Sequence, residues 1–233
     1  VDAASGNIRS VETLIRWHHP TKGLVPPGVF IPIAEQTGQI IVIGRWVLER
    51  ACYDIAQLNA TRKQPLAVAV NISPMQFRRN GFMDELKAAL YKSGLPPSLL
   101  ELEVTEGTLM TNTDQAVALL NEVRDLGISV ALDDFGTGFS SLSYLRDLPI
   151  SKVKLDRLFI SGISQNVKNA AIVQGVITMA HHLDLLVVAE GIETKEEQTD
   201  LQQSQCNLLQ GFFFSKPVPL EVLKQLPQRL PPP

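Results

Sequence analysis

The stretch "VALDDFGTGFSSL", Val130–Leu142, sets an apolar, strand-like run directly against two adjacent carboxylates, Asp133 and Asp134, and then a glycine-rich turn. A buried strand that ends in paired negative charge needs a reason. In parallel α/β folds ligands collect at the C-terminal ends of strands, so the reason is to be sought in what the other strands carry at the same end.

Working outward, short runs rich in Val, Ile, Leu and Phe read as strands over Ser10–Trp17, Leu66–Ile72, Leu99–Thr105, Ile128–Leu132, Lys152–Leu155, Leu185–Ala189 and Leu208–Phe214. Between them, apolar residues at three and four spacing predict helices over Gly44–Leu58, Met83–Lys92, Asp114–Leu126, Val167–His182 and Lys195–Gln203. Strand and helix alternate, which implies parallel strands joined by helical crossovers, and continuous runs such as "LAVAV" suit strands covered on both faces. Seven runs are one short of a closed (β/α)8 barrel, so the sheet is either open or has a strand ahead of Val1. The opening "VDAASGNIRSVE" favours the latter, since "ASGN" reads as a hairpin turn with only a stub of strand before it.

The bulk composition narrows the function. With 233 residues, 45% of them hydrophobic, the chain is expected to form one domain, here residues 1–226, followed by a proline-rich tail over 227–233 ending "LPPP". A net charge of -3 provides no basic surface for a nucleic-acid polymer. Two cysteines, Cys52 and Cys206, fit neither a zinc motif nor a disulfide framework and suit a reducing, cytoplasmic setting. No apolar stretch is long enough to cross a bilayer, and no signal-peptide pattern opens the sequence, so a cytoplasmic location is expected, including as the cytoplasmic part of a larger membrane protein.

The strand ends are strongly polar. "AVAVNIS" ends in Asn71, "LELEVTE" carries Glu103 and Glu106, "VALDD" gives Asp133 and Asp134, "KVKLD" gives Lys154 and Asp156, and "VVAEGIE" gives Glu190 and Glu193; Glu12 lies in "SVETLIRW". Any one of these has an ordinary explanation as a helix cap or a solvated side chain. Converging on one barrel mouth, they would repel and take up protons unless cations neutralised them. Oxygen donors without histidine point to hard cations such as Mg²⁺ or Mn²⁺ rather than zinc. His181 and His182 are expected to finish a helix, and His18 and His19 to lie in a loop bordering the first strand end. A turn at Phe135 and Gly136 would aim both Asp133 and Asp134 at metal, one bridging two ions and the other binding only the second. Two ions about 4 Å apart make the clamp used for in-line phosphate ester hydrolysis. "FGTGFSS" reads either as a lid hinge or as a tight turn. Lys154 would orient a water or stabilise phosphate charge, or else pair with Asp156 or another strand-end acid. Arg16 could fork onto a phosphate oxygen, or be a surface residue.

With these residues in view, the segments "ETLIRW", "PGVFIPIAEQTG", "NIS", "ELEVTE", "DDFGTGFSSLSYLRDLPI", "KLDRLFI", "VAEGIET" and "QGFFFSKP" resemble, in order, the EAL family of cyclic di-GMP phosphodiesterases from Val1 to about Leu220. The resemblance implies a modified (β/α)8 barrel with one antiparallel strand, hydrolysing cyclic di-GMP to linear pGpG with two Mg²⁺ or Mn²⁺ ions. By position, Glu12, Asn71, Glu103 and Asp133 would hold the first metal, and Asp133 and Asp134 the second. Lys154 would touch the nucleophilic water, and Glu190 would be a second-site ligand or the general base. Glu106 would anchor the turn after Asp134 from the neighbouring strand, Glu193 and Gln210 would complete the rim, and Leu14, Arg16 and Asp156 would contact substrate. The resemblance also implies a homodimer, involving the loop after Asp134, and fusion to upstream sensory or GGDEF-type domains. Thr13 replaces the alanine of the family's naming motif while Glu12 stays, and the family's opening strand is expected ahead of Val1.

Two other readings set the contrast. A non-catalytic cyclic di-GMP receptor would typically lack metal ligands or the lysine, and this chain has every one. A metal-dependent lyase or enolising barrel, with the lysine taking a proton from carbon, would leave cyclic di-GMP unchanged.

Overall fold

The computed structural model describes residues 1–110, 113–136 and 142–230. Strand β1 (Ser10–Thr13) leads into a hairpin of β2 (Trp17–His19) and β3 (Gly23–Val25), followed by helices α1 (Pro27–Gln36) and α2 (Ile40–Asn59). Strand and helix then alternate through β4 (Ala67–Asn71), α3 (Pro74–Phe77), α4 (Phe82–Ser93), β5 (Leu100–Thr105), α5 (Glu106–Met110), α6 (Thr113–Asp125) and β6 (Ser129–Phe135). The remainder is α7 (Leu142–Asp147), β7 (Lys152–Leu155), α8 (Arg157–Ile160), α9 (Val167–His182), β8 (Leu186–Ala189), α10 (Lys195–Gln203), β9 (Leu208–Leu209) and α11 (Leu220–Leu223). Seven strands form one sheet in the order β1-β4-β5-β6-β7-β8-β9, and every neighbouring pair is parallel.

The period of two along each strand sorts side chains into two layers. Outward, Val68, Val70, Leu100, Leu102, Val104, Val130, Leu132, Val153, Leu155 and Val187 are buried under the helices in one continuous core. Inward, the alternate positions are small or charged: Ala69, Ala131, Glu101, Glu103, Lys152 and Lys154. A barrel interior is ordinarily filled by branched apolar side chains. Here it holds acids and lysines instead.

The sheet curls until its edges meet. Gln210, just past β9, donates from Nε2 to Glu12 Oε2 of β1 at 2.7 Å. Residues 1–3 complete the seam by running antiparallel to β9, through an Asp2–Leu208 bridge, Leu209 N–H to the Val1 carbonyl at 2.8 Å and Ala3 N–H to the Asn207 carbonyl at 3.0 Å. The chain then turns back through Gly6 (φ 70°), with Asp2 N–H donating to the Asn7 carbonyl. The expected stub and hairpin are therefore the antiparallel element of the barrel. Beyond α11, Ile8 N–H donates to the Gln228 carbonyl and Asn7 bridges Arg229, while residues 231–233 lie outside the described part.

The structure corrects four local readings. The run Ser10–Trp17 stops pairing with β4 at Thr13, and Trp17 starts a separate antiparallel hairpin that turns over residues 20–22 into Gly23 (φ 69°). His18 and His19 are thus strand residues, with Trp17 edge-on to the His19 and Phe30 rings. Helix α2 begins at Ile40, not Gly44, because the β-branched "IIVI" continues the same buried face through Ile40, Gly44 and Leu48. The run Leu208–Phe214 is strand only over its first two residues, since Gly211 presses on the Ile192 backbone and turns Phe213 and Phe214 into the core. Helices α9 and α10 span the residues that periodicity predicts, and His181 and His182 end α9.

Leu102 is fully buried on central strand β5. Leu102→Ala should therefore cost about 2–5 kcal/mol in denaturant unfolding, whereas a change below about 1 kcal/mol would contradict this packing.

Candidate active site

Lys154 points inward from β7, and its side chain is 3% exposed. Its ammonium pairs with Glu103 of β5 at 2.8 Å, Asp133 of β6 at 3.1 Å and Glu190, the residue after β8, at 2.8 Å. One lysine thus reaches carboxylates from three other strands of the sheet. Glu12 joins from β1, where Asn71 Nδ2 holds Oε1 and Gln210 Nε2 holds Oε2, both at 2.7 Å. A cavity of about 720 Å³ runs along this inner face, lined among others by Glu12, Leu14, Glu103, Asp133, Lys154 and Glu190. That volume suits a small-molecule ligand.

The paired aspartates sit on a distortion of β6. Pairing with β7 slips between Leu132 and Phe135, and Asp134 adopts φ 54°, a left-handed conformation that aspartate tolerates better than most residues. The ladder already breaks at the pair, ahead of the turn expected at Phe135 and Gly136. Asp133 turns inward to Lys154 while its Oδ1 accepts Asp134 N–H at 3.0 Å, and Asp134 stands exposed. Gly136 (φ 91°) donates its N–H to Glu106 Oε1 at 3.1 Å, so Glu106, the first residue of α5, braces this turn from the end of the neighbouring strand β5. Residues 137–141, which carry most of "FGTGFSS", lie outside the described part.

The remaining sequence-derived candidates divide. Leu14 and Glu193 line the cavity, and Glu193 pairs with Arg157 at 2.9 Å. Asp156 instead caps α8, accepting Leu158 N–H at 2.8 Å. Arg16 is exposed and donates to the Ile15 carbonyl, so the structure does not bring it to the carboxylates. Gln210 is closer to the centre than a rim residue, since it holds Glu12.

Two features were missed. Lys152 and Glu101 form a second buried ion pair one layer below Lys154 and Glu103. The repeat of two in "KVKL" and "LELEV" would have placed them on the same face. Glu197, almost wholly buried, accepts N–H groups from Gly162, Glu193 and Thr194 at 2.9–3.1 Å and so fixes the turn after Glu190. The capping-box spacing Thr194 to Glu197 signals this residue in the sequence.

Four carboxylates against one ammonium leave surplus negative charge in a poorly hydrated space. Burial, with Glu12 and Asp133 nearby, pushes the Glu103 carboxyl well above its usual range, and Lys154 offsets only part of this. Glu190 is pushed up to about 7 by burial and by Asp133 and Glu12, against Lys154. Burial and Asp133 also raise Asp134. Burial disfavours the charge on Lys154, but Glu103, Glu190, Glu12 and Asp133 outweigh it and hold the lysine protonated. Glu103 Oε2 is buried without a hydrogen-bond partner among the described residues. An all-oxygen donor set with surplus charge and an orphaned oxygen fits a hard divalent cation. In the present geometry the Lys154 ammonium stands at the point of convergence, and among the described residues no ready-made cluster of three His, Cys, Asp or Glu ligands is found.

A family model for the EAL domain matches residues 1–217. The chain is 46% identical over 222 residues to the cyclic di-GMP phosphodiesterase NbdA of Pseudomonas aeruginosa, covering 95% of this chain and 28% of that protein. It is 42% identical over 221 residues to the bifunctional diguanylate cyclase/cyclic di-GMP phosphodiesterase MucR of the same organism, covering 95% and 32%. The chain therefore spans about three-tenths of the length of these relatives. Among solved structures it is similar to the PaMucR phosphodiesterase in complex with c-di-GMP, with TM-score 0.89, 42% identity and coverage of 94% of this chain and 90% of that one. It is also similar to the EAL enzyme Bd1971 bound to cAMP and cyclic di-GMP, with TM-score 0.92, 36% identity and coverage of 97% and 62%.

Because Lys154 is the sole cation bonded to Glu103, Asp133 and Glu190 among the described residues, Lys154→Met should destabilise the metal-free protein by about 3–5 kcal/mol at neutral pH. Glu103 and Glu190 hold protons more tightly folded than unfolded, so acid favours the folded variant and the deficit should shrink as pH falls. An unchanged melting curve at pH 7 would contradict this electrostatic reading.

Proposed function

The chain belongs to the EAL domain family, and on that premise we propose that it is a phosphodiesterase that hydrolyses cyclic di-GMP to linear pGpG in bacterial second-messenger signalling. The observation that carries this reading is the convergence of Glu103, Asp133 and Glu190 on Lys154, with Glu12 lining the same cavity. Glu12, Asn71, Glu103 and Asp133 would hold one Mg²⁺ or Mn²⁺ ion, and Asp133 and Asp134 a second. Such ions supply a nucleophilic water at neutral pH and stabilise the leaving oxygen of an in-line displacement.

The chain's own residues supply the rest. Asn71 and Gln210 each donate to one oxygen of Glu12, which fixes its rotamer before any ligand arrives. Lys154 stays protonated, so it acts as a donor that orients water and phosphate oxygen rather than as a base. This also weighs against carbon-acid chemistry, which needs a neutral lysine. Glu190, bonded to Lys154 and facing the cavity, would accept the proton of the attacking water or hold the second ion. Leu14 and Glu193 border the cavity where the nucleotide would lie. The reading extends to a cytoplasmic homodimer fused to sensory or GGDEF-type domains.

Chromatography of cyclic di-GMP incubated with purified protein should show pGpG with Mg²⁺ or Mn²⁺ and none with chelator. Glu12→Ala should lower turnover by about a hundredfold or more. Cyclic di-GMP that is bound but left intact with either metal would replace the enzyme with a receptor, and near-normal turnover in Glu12→Ala would overturn the ligand assignment. Light scattering that finds only monomer over a wide concentration range with cyclic di-GMP present would remove the dimer.

A further inference from the structure

Two glycines beside the carboxylates have no room for a side chain, and the same short helix fills both spaces. A Cβ on Gly136, at the turn after Asp133 and Asp134, would stand 2.9 Å from the Phe159 ring. A Cβ on Gly191, the residue after Glu190, would stand 2.5 Å from Arg157 Cγ. Both glycines have positive φ, 91° and 71°, so each turn bends sharply where the α8 side chain presses on it. Residues two apart on a helix project about 200° from one another. Arg157 and Phe159 therefore leave α8 on opposite sides, one toward the turn after β8 and the other toward the turn after β6.

The helix is itself pinned. It begins three residues after Lys154, separated from β7 by Asp156 alone, whose side chain caps it through Leu158 N–H. Arg157 Nη2 pairs with Glu193 at 2.9 Å. At the other end, Gly162 N–H donates to Glu197 Oε1 at 3.1 Å, while Glu197 Oε2 accepts from Glu193 N–H at 2.9 Å. A four-residue helix has little rigidity of its own, and these contacts lend it that of β7 and α10.

We propose that Arg157 and Phe159 are positioning residues that make α8 a clip: Phe159 holds the turn bearing Asp133 and Asp134, and Arg157 holds the turn bearing Glu190. The inference rests on the reading of these carboxylates as a divalent-metal site. It goes beyond that reading by assigning the geometry of two of its turns to residues that are not among the proposed metal ligands. For Arg157 the working part is the alkyl stem over Gly191 as much as the charge, since the stem atoms make the close approach.

The test is calorimetric titration of Mn²⁺ into Arg157→Ala, Arg157→Met and Phe159→Leu without nucleotide, alongside thermal melting. Arg157 is exposed, so Arg157→Ala should melt within about 4 °C of the wild type while binding Mn²⁺ about tenfold more weakly. Arg157→Met restores the stem without the charge and should recover most of that loss, and Phe159→Leu should weaken binding in the same direction. Wild-type affinity in both Arg157→Ala and Phe159→Leu, an Arg157→Met no better than Arg157→Ala, or a melting loss in Arg157→Ala above about 4 °C would overturn the clip. A wild type that binds Mn²⁺ yet leaves cyclic di-GMP intact overturns the proposed reaction alone. A wild type that binds no Mn²⁺ overturns both.

Discussion

The Lys154 ammonium, buried and bonded to carboxylates of β5, β6 and the turn after β8, is the charge on which the barrel interior depends. Removing carboxylates from water is costly, and one cation can compensate only part of the charge of Glu12, Glu103, Asp133 and Glu190. The protein tolerates the surplus by raising the proton affinity of Glu103 and Glu190. That same surplus is what the proposed divalent cations would neutralise. Stability and chemistry are thus set by a single imbalance, in which the fold supplies more negative charge than it neutralises.

Holding such a cluster takes strain and bracing around it. The β6 ladder slips at Asp133, and Asp134 enters left-handed space, a conformation that persists only where neighbours over-determine it. Here the neighbours are Glu106 on the Gly136 N–H and Phe159 on the Gly136 Cα. On the far side, Glu197 gathers three backbone donors below the turn that follows Glu190. Glu12 sits at the seam where β1 meets β9, and the Gln210 hydrogen bond makes barrel closure and the placement of Glu12 one contact. The inward layer of Glu101 and Lys152 beneath it replaces the apolar filling of an ordinary barrel with a column of paired charge.

Much of this is legible in the sequence, for physical reasons that differ by residue. Buried parallel strands announce themselves as apolar runs, and their polar last residues mark the ligand end without further information, which is why Asn71, Glu103, Asp133, Lys154 and Glu190 can be picked out directly. What local pattern cannot supply is the partner. "IIVI" stays outside the predicted helix until the buried face of α2 is known, and Phe213 and Phe214 read as strand until Gly211 is seen to press on Ile192. Asp156 and Arg16 look alike as polar residues near strand ends, yet one caps a helix and the other donates to the neighbouring Ile15 carbonyl. Arg157 and Phe159 are invisible at this level because their partners are glycines, whose message is the absence of a side chain.

The most direct test of the account is anomalous scattering from crystals grown with Mn²⁺. The account predicts manganese signal among Glu12, Glu103 and Asp133, with the Lys154 ammonium released from part of its present carboxylate contacts. Crystals that show no signal there at saturating Mn²⁺, with Lys154 still bonded to Glu103, Asp133 and Glu190, would mean that the lysine alone satisfies the cluster and that the metal-dependent reading is wrong.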